Sequence, residues 1–297
     1  MSDPDRRDRP DPTVPTQLLA LFRRRDFRPR KQLGQSFLVD GNIARKIARL
    51  AELDGARPVV EIGAGAGAVT QFLVEQSPRV VAIEIDPTLV AILRETLSDS
   101  AEIVQADVLT LAWPGVLGAD SPPWRVVANL PYSITGPAIL HLLDAAQLFD
   151  RLVIMVQSEV ADRLLAPAGS RRRGFLTVLA EASCDISAAG SVPPTCFYPR
   201  PRVASTILVL QTRRPSLVPE ALRETFARVL RAAFAVRRKM LANALSHDPG
   251  LELSKEEAAA LSSQCGVDPQ RRAESLSAQD VLRLAQALAR RDGKGIM

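Results

Sequence analysis

The sequence is poor in aromatic residues, histidine and cysteine. Of 297 residues only 4% are Phe, Trp or Tyr, with two histidines and three cysteines. Cys184, Cys196 and Cys265 form no C-x-x-C pair and leave an odd thiol, which argues against a disulfide framework or a zinc site and fits a reducing cytosol. His141 lies within an apolar helical run and His247 near a helix end, neither with metal-ligand spacing, so no metal is expected. No hydrophobic run is long enough to span a bilayer. The opening "MSDPDRRDRPDPTVP" is charged and Pro-rich where a signal peptide needs an apolar stretch. A cytoplasmic protein without membrane contact is expected.

What is present suits a folded chain. Hydrophobic residues make up 46% and charged residues 24%, enough for a proper core, and the length suits one large domain plus a small one. The formal charge of +5, with arginine preferred over lysine, suggests a polyanionic partner without naming it.

Residues 1–27 read as a disordered or loosely attached tail, because Asp, Arg and Pro dominate its first half. From Pro58, short Val/Ile runs alternate with helical patterns: "PVVEI" then "VTQFLVEQ", "RVVAIEI" then "PTLVAILRETL", "AEIVQA", "WRVVAN" then "GPAILHLLDAA", "RLVIMVQ" then "EVADRLL". Strands apolar on both faces and separated by helices indicate a doubly wound, mostly parallel sheet. "ASTILVL" reads as a late strand of that sheet. Beyond it "PEALRETFARVLRAAFAVRRKMLANAL", "SKEEAAALSSQCG" and "SAQDVLRLAQALARR" carry helical periodicity, with Ser254 and Glu257 at capping-box spacing. The expected organisation is an α/β domain over 28–212 and a small all-helical domain over 213–297.

The chemistry is concentrated at strand ends. "VVEIGAGAGAVT" puts glycines at 63, 65 and 67 between a strand and a helix, where the backbone can approach a ligand closely. The G-x-G-x-G spacing departs from the dinucleotide fingerprint, and alone it fits a tight turn as well as a binding loop. Glu84 ends the second strand, 21 residues after Gly63, where a carboxylate can accept both hydroxyls of a ribose. That suits NAD or S-adenosylmethionine. Asp107 ends the third strand, placed to accept from an adenine amine, and the three features in succession follow the class I methyltransferase pattern. The fourth strand runs into "ANLPYSIT", a polar amide, a proline and an aromatic ring at the end of a buried run.

With "LGQSFLVD", "MVQSEVADRLLA", "FYPRPRVAST" and "FAVRRKMLANAL" in the same order, the chain beyond residue 28 resembles the KsgA/RsmA family of rRNA adenine N6-dimethyltransferases. The resemblance implies a class I (Rossmann-like) methyltransferase domain, a helical RNA-binding domain, S-adenosylmethionine as donor, and dimethylation of two adjacent adenosines near the 3′ end of small-subunit rRNA within a pre-30S particle, by a monomer. It further implies that Ser36 and Leu38 close over the donor, that Gly63 touches its methionine part, Glu84 its ribose and Asp107 its adenine, and that Asn129 links donor and target. The family usually carries asparagine where this chain has Ser36, a proline in place of Ala64, and a basic residue in place of Ser158.

An adenine amine is a poor nucleophile because its lone pair is delocalised into the ring, so orientation matters more than acid–base power. Asn129 and the Leu130 carbonyl are expected to accept from the amine, Pro131 to stiffen the turn, and Tyr132 and Phe197 to stack on the flipped base. Phe197 is preferred to Tyr198 by its place in the motif. Basic clusters at "LFRRRDFRPRK", "GSRRRG", "YPRPR", "TRRP" and "FAVRRKML" recur on both domains, which favours an RNA-facing surface over merely solvated faces. Arg200, Arg202, Arg237, Arg238 and Lys239 are its candidates, the last three on a helix anchored by Phe234 and Leu241. Three other functions share these features: an Erm-type methyltransferase of large-subunit rRNA, a DNA adenine methyltransferase, and an RNA-binding role without catalysis.

Overall fold

The computed structural model describes residues 9–30, 34–118, 123–131, 133–236 and 239–293. It divides into two compact units, the first running to Ala161 with Ser187–Thr212 added, the second combining Asp162–Ile186 with the chain from Arg213 onward.

In chain order the elements of the first unit are α1 (Pro15–Arg24), β1 (Phe37–Leu38), α2 (Gly41–Leu50), β2 (Val59–Ile62), α3 (Thr70–Leu73), β3 (Val80–Glu84), α4 (Pro87–Leu97), β4 (Glu102–Gln105), α5 (Trp113–Leu117), β5 (Trp124–Asn129), α6 (Thr135–Asp144) and β6 (Phe149–Gln157). Then come α7 (Ser158–Leu164), α8 (Phe175–Ser183), β7 (Cys184–Val192), β8 (Phe197–Tyr198) and β9 (Ser205–Thr212), followed by α9 (Arg223–Ala235), α10 (Leu241–Leu245), α11 (Lys255–Gln264) and α12 (Ala278–Arg291).

The main sheet has seven strands in the order β4-β3-β2-β5-β6-β9-β7. The pairs from β4 to β6 are parallel, and β9 runs antiparallel to β6. β2 and β3 are buried throughout because each is a short Val/Ile run covered on both faces. The chain winds outward from β2 through β3 to β4, then returns to β5 on the other side of β2. That reversal opens a crevice at the carboxyl ends of β2 and β5, where open α/β sheets bind ligands. Register sharpens it: Ile62 pairs with Ala128, so Gly63 and Asn129 emerge side by side.

Three expectations need correction, and one strand of the sheet was not expected. Residues 1–27 are not all tail: Leu18, Leu21 and Phe22 on one face of α1 are buried with Phe27, Phe37, Leu89 and Ile92. Asp11 anchors the approach to α1 by accepting from the Thr13 amide at 2.8 Å and from Gln71 Nε2 at 2.9 Å. A single boundary at 213 is also too simple. Arg173, almost fully buried, donates to the carbonyls of Leu276 (3.0 Å) and Ala166 (2.9 Å) and pairs with Glu181, tying residues 162–186 to the C-terminal helices. β7, "CDISAAGSV", joins the sheet at its edge without a Val/Ile run, its small and polar residues mostly exposed or half-buried.

The long helix expected through "FAVRRKMLANAL" is interrupted. α9 ends at Ala235, where Val236 leaves the helical conformation, and Met240 is extended. Met240 bridges Arg272, while the amides of Leu241 and Ala242 donate to the Arg271 and Pro269 carbonyls at 2.7 and 3.1 Å. These tertiary hydrogen bonds satisfy the start of α10 better than continuing the helix would. The capping boxes at Ser254–Glu257 and Ser277–Asp280 both form, each with two reciprocal hydrogen bonds.

Candidate active site

At the crevice lies a cleft of about 240 Å³, bordered by β1, the loop after β2, the ends of β3, β4 and β5, and Phe197 of β8. Of the residues expected at the site, Ser36, Leu38, Gly63, Glu84, Asp107, Asn129, Leu130, Pro131 and Phe197 all line it. Tyr132, Arg237 and Arg238 lie outside the described residues.

The glycine loop is shaped by two close approaches. Gly63 has φ +70°, and a Cβ there would lie 3.2 Å from the Asn129 carbonyl oxygen. Gly65 has φ +60°, and a Cβ there would lie 3.3 Å from the Phe37 ring. Both conformations strain any side chain, so glycine lets the loop close against β5 and β1 at once. Glu84 is held by the same loop. One carboxylate oxygen accepts from the Gly65 amide at 2.9 Å and the other from the amides of Ile85 and Asp86 at 2.9 and 3.0 Å. Burial still raises its pKa above the ordinary value, against the pull of those three amides. Asp86 then caps α4, accepting from Thr88 and Leu89 with Pro87 at the first helical position. Asp107 is oriented by accepting from the Leu109 amide at 2.9 Å.

Across the cleft, β5 ends at Asn129. The Pro131 carbonyl is used inside the turn, accepting from the Ile134 amide and the Thr135 hydroxyl, both at 3.1 Å. The Leu130 carbonyl accepts no hydrogen bond among the described residues, so it is the carbonyl of this turn that can serve a ligand. Phe197 is only 5% exposed, backed by Leu38 and Cys196 while still lining the cleft. Ser36 lines the rim, but its hydroxyl donates to the Pro199 carbonyl at 3.0 Å.

Two lining residues escaped sequence reasoning. Ile85 is 57% exposed beside Glu84, an apolar side chain facing open space, and the strand pattern "VVAIEI" absorbed it as one more core residue. Glu61, one residue before the end of β2, is 2% exposed, with Oε2 unpartnered. Burial pushes its pKa up to about 8, with the Glu84 carboxylate adding to the rise and the Thr70 hydroxyl opposing it. A buried acid at the base of the glycine loop was the available signal.

The two outer basic candidates on the sheet unit, Arg200 and Arg202, are exposed. Lys239 sits in the break between α9 and α10, not on a helix, with Nζ 2.9 Å from His247 Nε2. Within "GSRRRG", Arg173 serves packing, as described above.

A model of the ribosomal RNA adenine dimethylase family matches residues 26–290. The chain belongs to that family. The protein is therefore an enzyme of rRNA adenine methylation. Ribosomal RNA small subunit methyltransferase A of Moorella thermoacetica is 43% identical over 93% of this chain and 98% of its own, and its counterpart in Kineococcus radiotolerans is 44% identical over 88% and 87%. Among solved structures, a dimethyladenosine transferase from Plasmodium falciparum shares the fold, with a TM-score of 0.70 at 23% identity over 86% of this chain and 98% of that one. The 23S rRNA methyltransferase ErmE matches at 0.63 and 28% over 85% and 99%.

A dimethylase needs room for a methyl donor, and the family points to S-adenosylmethionine. The residues present fit that group. Gly63 leaves a cradle no side chain could share, exposed Ile85 offers an apolar face to a flat ring, and Glu84, though held by three amides, keeps lone-pair capacity for hydroxyl donors. Among the described residues no cluster of three His, Cys, Asp or Glu could hold a metal ion.

Proposed function

We propose that this protein dimethylates N6 of two adjacent adenosines near the 3′ end of small-subunit rRNA, acting as a monomer on a pre-30S particle. The observation that carries the reading is the continuity of one cleft. Leu38, Gly63, Glu84 and Asp107 form its donor side, and Asn129, Leu130, Pro131 and Phe197 its acceptor side. Identity of 43–44% to small-subunit methyltransferases, against 28% to a 23S enzyme, favours the small-subunit substrate.

When bound, S-adenosylmethionine supplies a methyl group activated by its sulfonium charge. The protein's part is to hold and orient. Glu84 accepts from the ribose hydroxyls and Asp107 from the adenine amine of the donor, with Ile85 packed on its ring. On the acceptor side the Asn129 side-chain oxygen and the Leu130 carbonyl accept from the target amine, directing its lone pair toward the donor side and stabilising the positive charge that develops on nitrogen. Pro131, with fixed φ and its carbonyl turned into α6, keeps that turn stiff. Phe197 and Tyr132 stack the flipped base, each contact worth roughly 1–3 kcal/mol. Arg200, Arg202, Arg237, Arg238 and Lys239 contact phosphates.

Two substitutions test the division of labour. Glu84→Ala should weaken donor binding about thirtyfold or more, corresponding to the loss of ~2 kcal/mol of charge-assisted hydrogen bonding. Asn129→Ala should leave small-subunit binding intact while lowering kcat about a hundredfold. Unchanged dimethyladenosine formation by both variants would contradict the assignment of these residues, whereas no dimethyladenosine from the wild-type protein would leave an RNA-binding role without catalysis.

A further inference from the structure

Ser36 occupies a position that the resemblance assigns to the donor, yet its hydroxyl points elsewhere. It donates to the Pro199 carbonyl at 3.0 Å, across 163 positions of sequence. That bond is one of a set. β1 and β8 form a two-stranded antiparallel pair apart from the main sheet, with Phe37 opposite Tyr198 and Leu38 opposite Phe197. The Val39 amide donates to the Cys196 carbonyl at 2.8 Å, and the Cys196 thiol to the Asp40 carboxylate at 3.4 Å. Ser36 closes the outer end of the clasp and Asp40 the inner end.

The clasp joins the two halves of the cleft. On the β1 side, Phe37 packs beneath Gly65, and Gly65 in turn donates to Glu84. On the β8 side the chain carries Phe197, which lines the same cleft. A pair of two-residue strands is marginal on its own, so a single side-chain hydrogen bond is a large fraction of what holds it closed. Any ligand that orders β1 then also orders the backbone of Phe197.

We propose that Ser36 is a positioning residue for the target nucleotide: through its bond to Pro199 it fastens β8 to β1, so that filling the donor side of the cleft sets Phe197 for the base. The inference rests on the reading of the cleft given above. It moves Ser36 from donor contact to the link between donor and acceptor.

Hydrogen exchange on the full-length protein, with S-adenosylhomocysteine as the probe, tests this without RNA. In the wild type the probe should slow exchange both at residues 63–67 and at residues 196–198. In Ser36→Ala the protection at 63–67 should remain, with affinity for the probe within about twofold of wild type, while the protection at 196–198 is lost. Ser36→Thr, which keeps the hydroxyl, should restore it. In turnover on undermethylated small subunits, Ser36→Ala should lower kcat about tenfold with the donor KM unchanged. Protection at 196–198 that survives in Ser36→Ala, or a tenfold loss of affinity for the probe, would overturn the proposal and return Ser36 to the donor. Protection at 63–67 without protection at 196–198 in the wild type would overturn the proposal alone. An absence of protection everywhere would overturn the reading of the cleft and the proposal with it.

Discussion

Glu61 shows how one side chain couples the stability of the site to pH. Its carboxyl is buried near the end of β2, one oxygen lacks a partner, and its pKa is pushed from 4.5 up to about 8. In the unfolded chain it ionises near its ordinary value, whereas in the folded protein it keeps its proton to about pH 8. The unfolded state therefore binds fewer protons between those limits, and stability falls as pH rises. The contribution is whole below pH 4.5, declines by up to ~1.4 kcal/mol per pH unit, and levels off above about 8. Glu61→Gln should flatten that slope and make the protein more stable at pH 8 than wild type by a few kcal/mol. Urea denaturation at pH 5 and pH 8 measures it; equal pH slopes in the two proteins would show that Glu61 is ionised when folded.

At the scale of elements, the strands that build the site were legible because their physics is local. "VVEI", "VVAIE" and "WRVVAN" are apolar on both faces and carry a polar group at or next to their carboxyl ends, and those ends converge on the cleft. Elements whose existence depends on distant partners were not legible. β1 and β8 are two residues each and exist by pairing with one another, β7 lacks a Val/Ile run, and the break before α10 is stabilised by the Pro269 and Arg271 carbonyls, far along the chain. The N-terminal helix belongs with these: Asp, Arg and Pro ahead of it suggest disorder, but Leu18, Leu21 and Phe22 recur at helical spacing against Phe37. Leu21 is fully buried, so Leu21→Ala should cost roughly 2–4 kcal/mol in global unfolding by urea. A cost near zero would mean that α1 is detached in solution. Ser36 and Glu61 were visible as letters but not as roles, because the hydroxyl's partner lies 163 residues away and an orphaned oxygen is a property of packing.

For the whole molecule, a net charge of +5 and exposed arginines at 200 and 202 imply that binding to rRNA is driven largely by phosphate contacts. Replacing Arg200 and Arg202 together with alanine should reduce the slope of log affinity against log salt by about 2, one unit for each phosphate no longer neutralised, without altering donor affinity. An unchanged slope would remove both residues from the RNA interface. The central claim is that one cleft joins a methyl donor to small-subunit adenosines, and mass spectrometry of rRNA fragments tests it most directly. Undermethylated small subunits and, separately, large-subunit RNA would be incubated with the protein and S-adenosylmethionine. The account predicts two adjacent dimethyladenosines in the 3′ fragment of small-subunit rRNA and none in large-subunit RNA. An unmodified 3′ fragment, or dimethyladenosine in the large-subunit RNA alone, would contradict it.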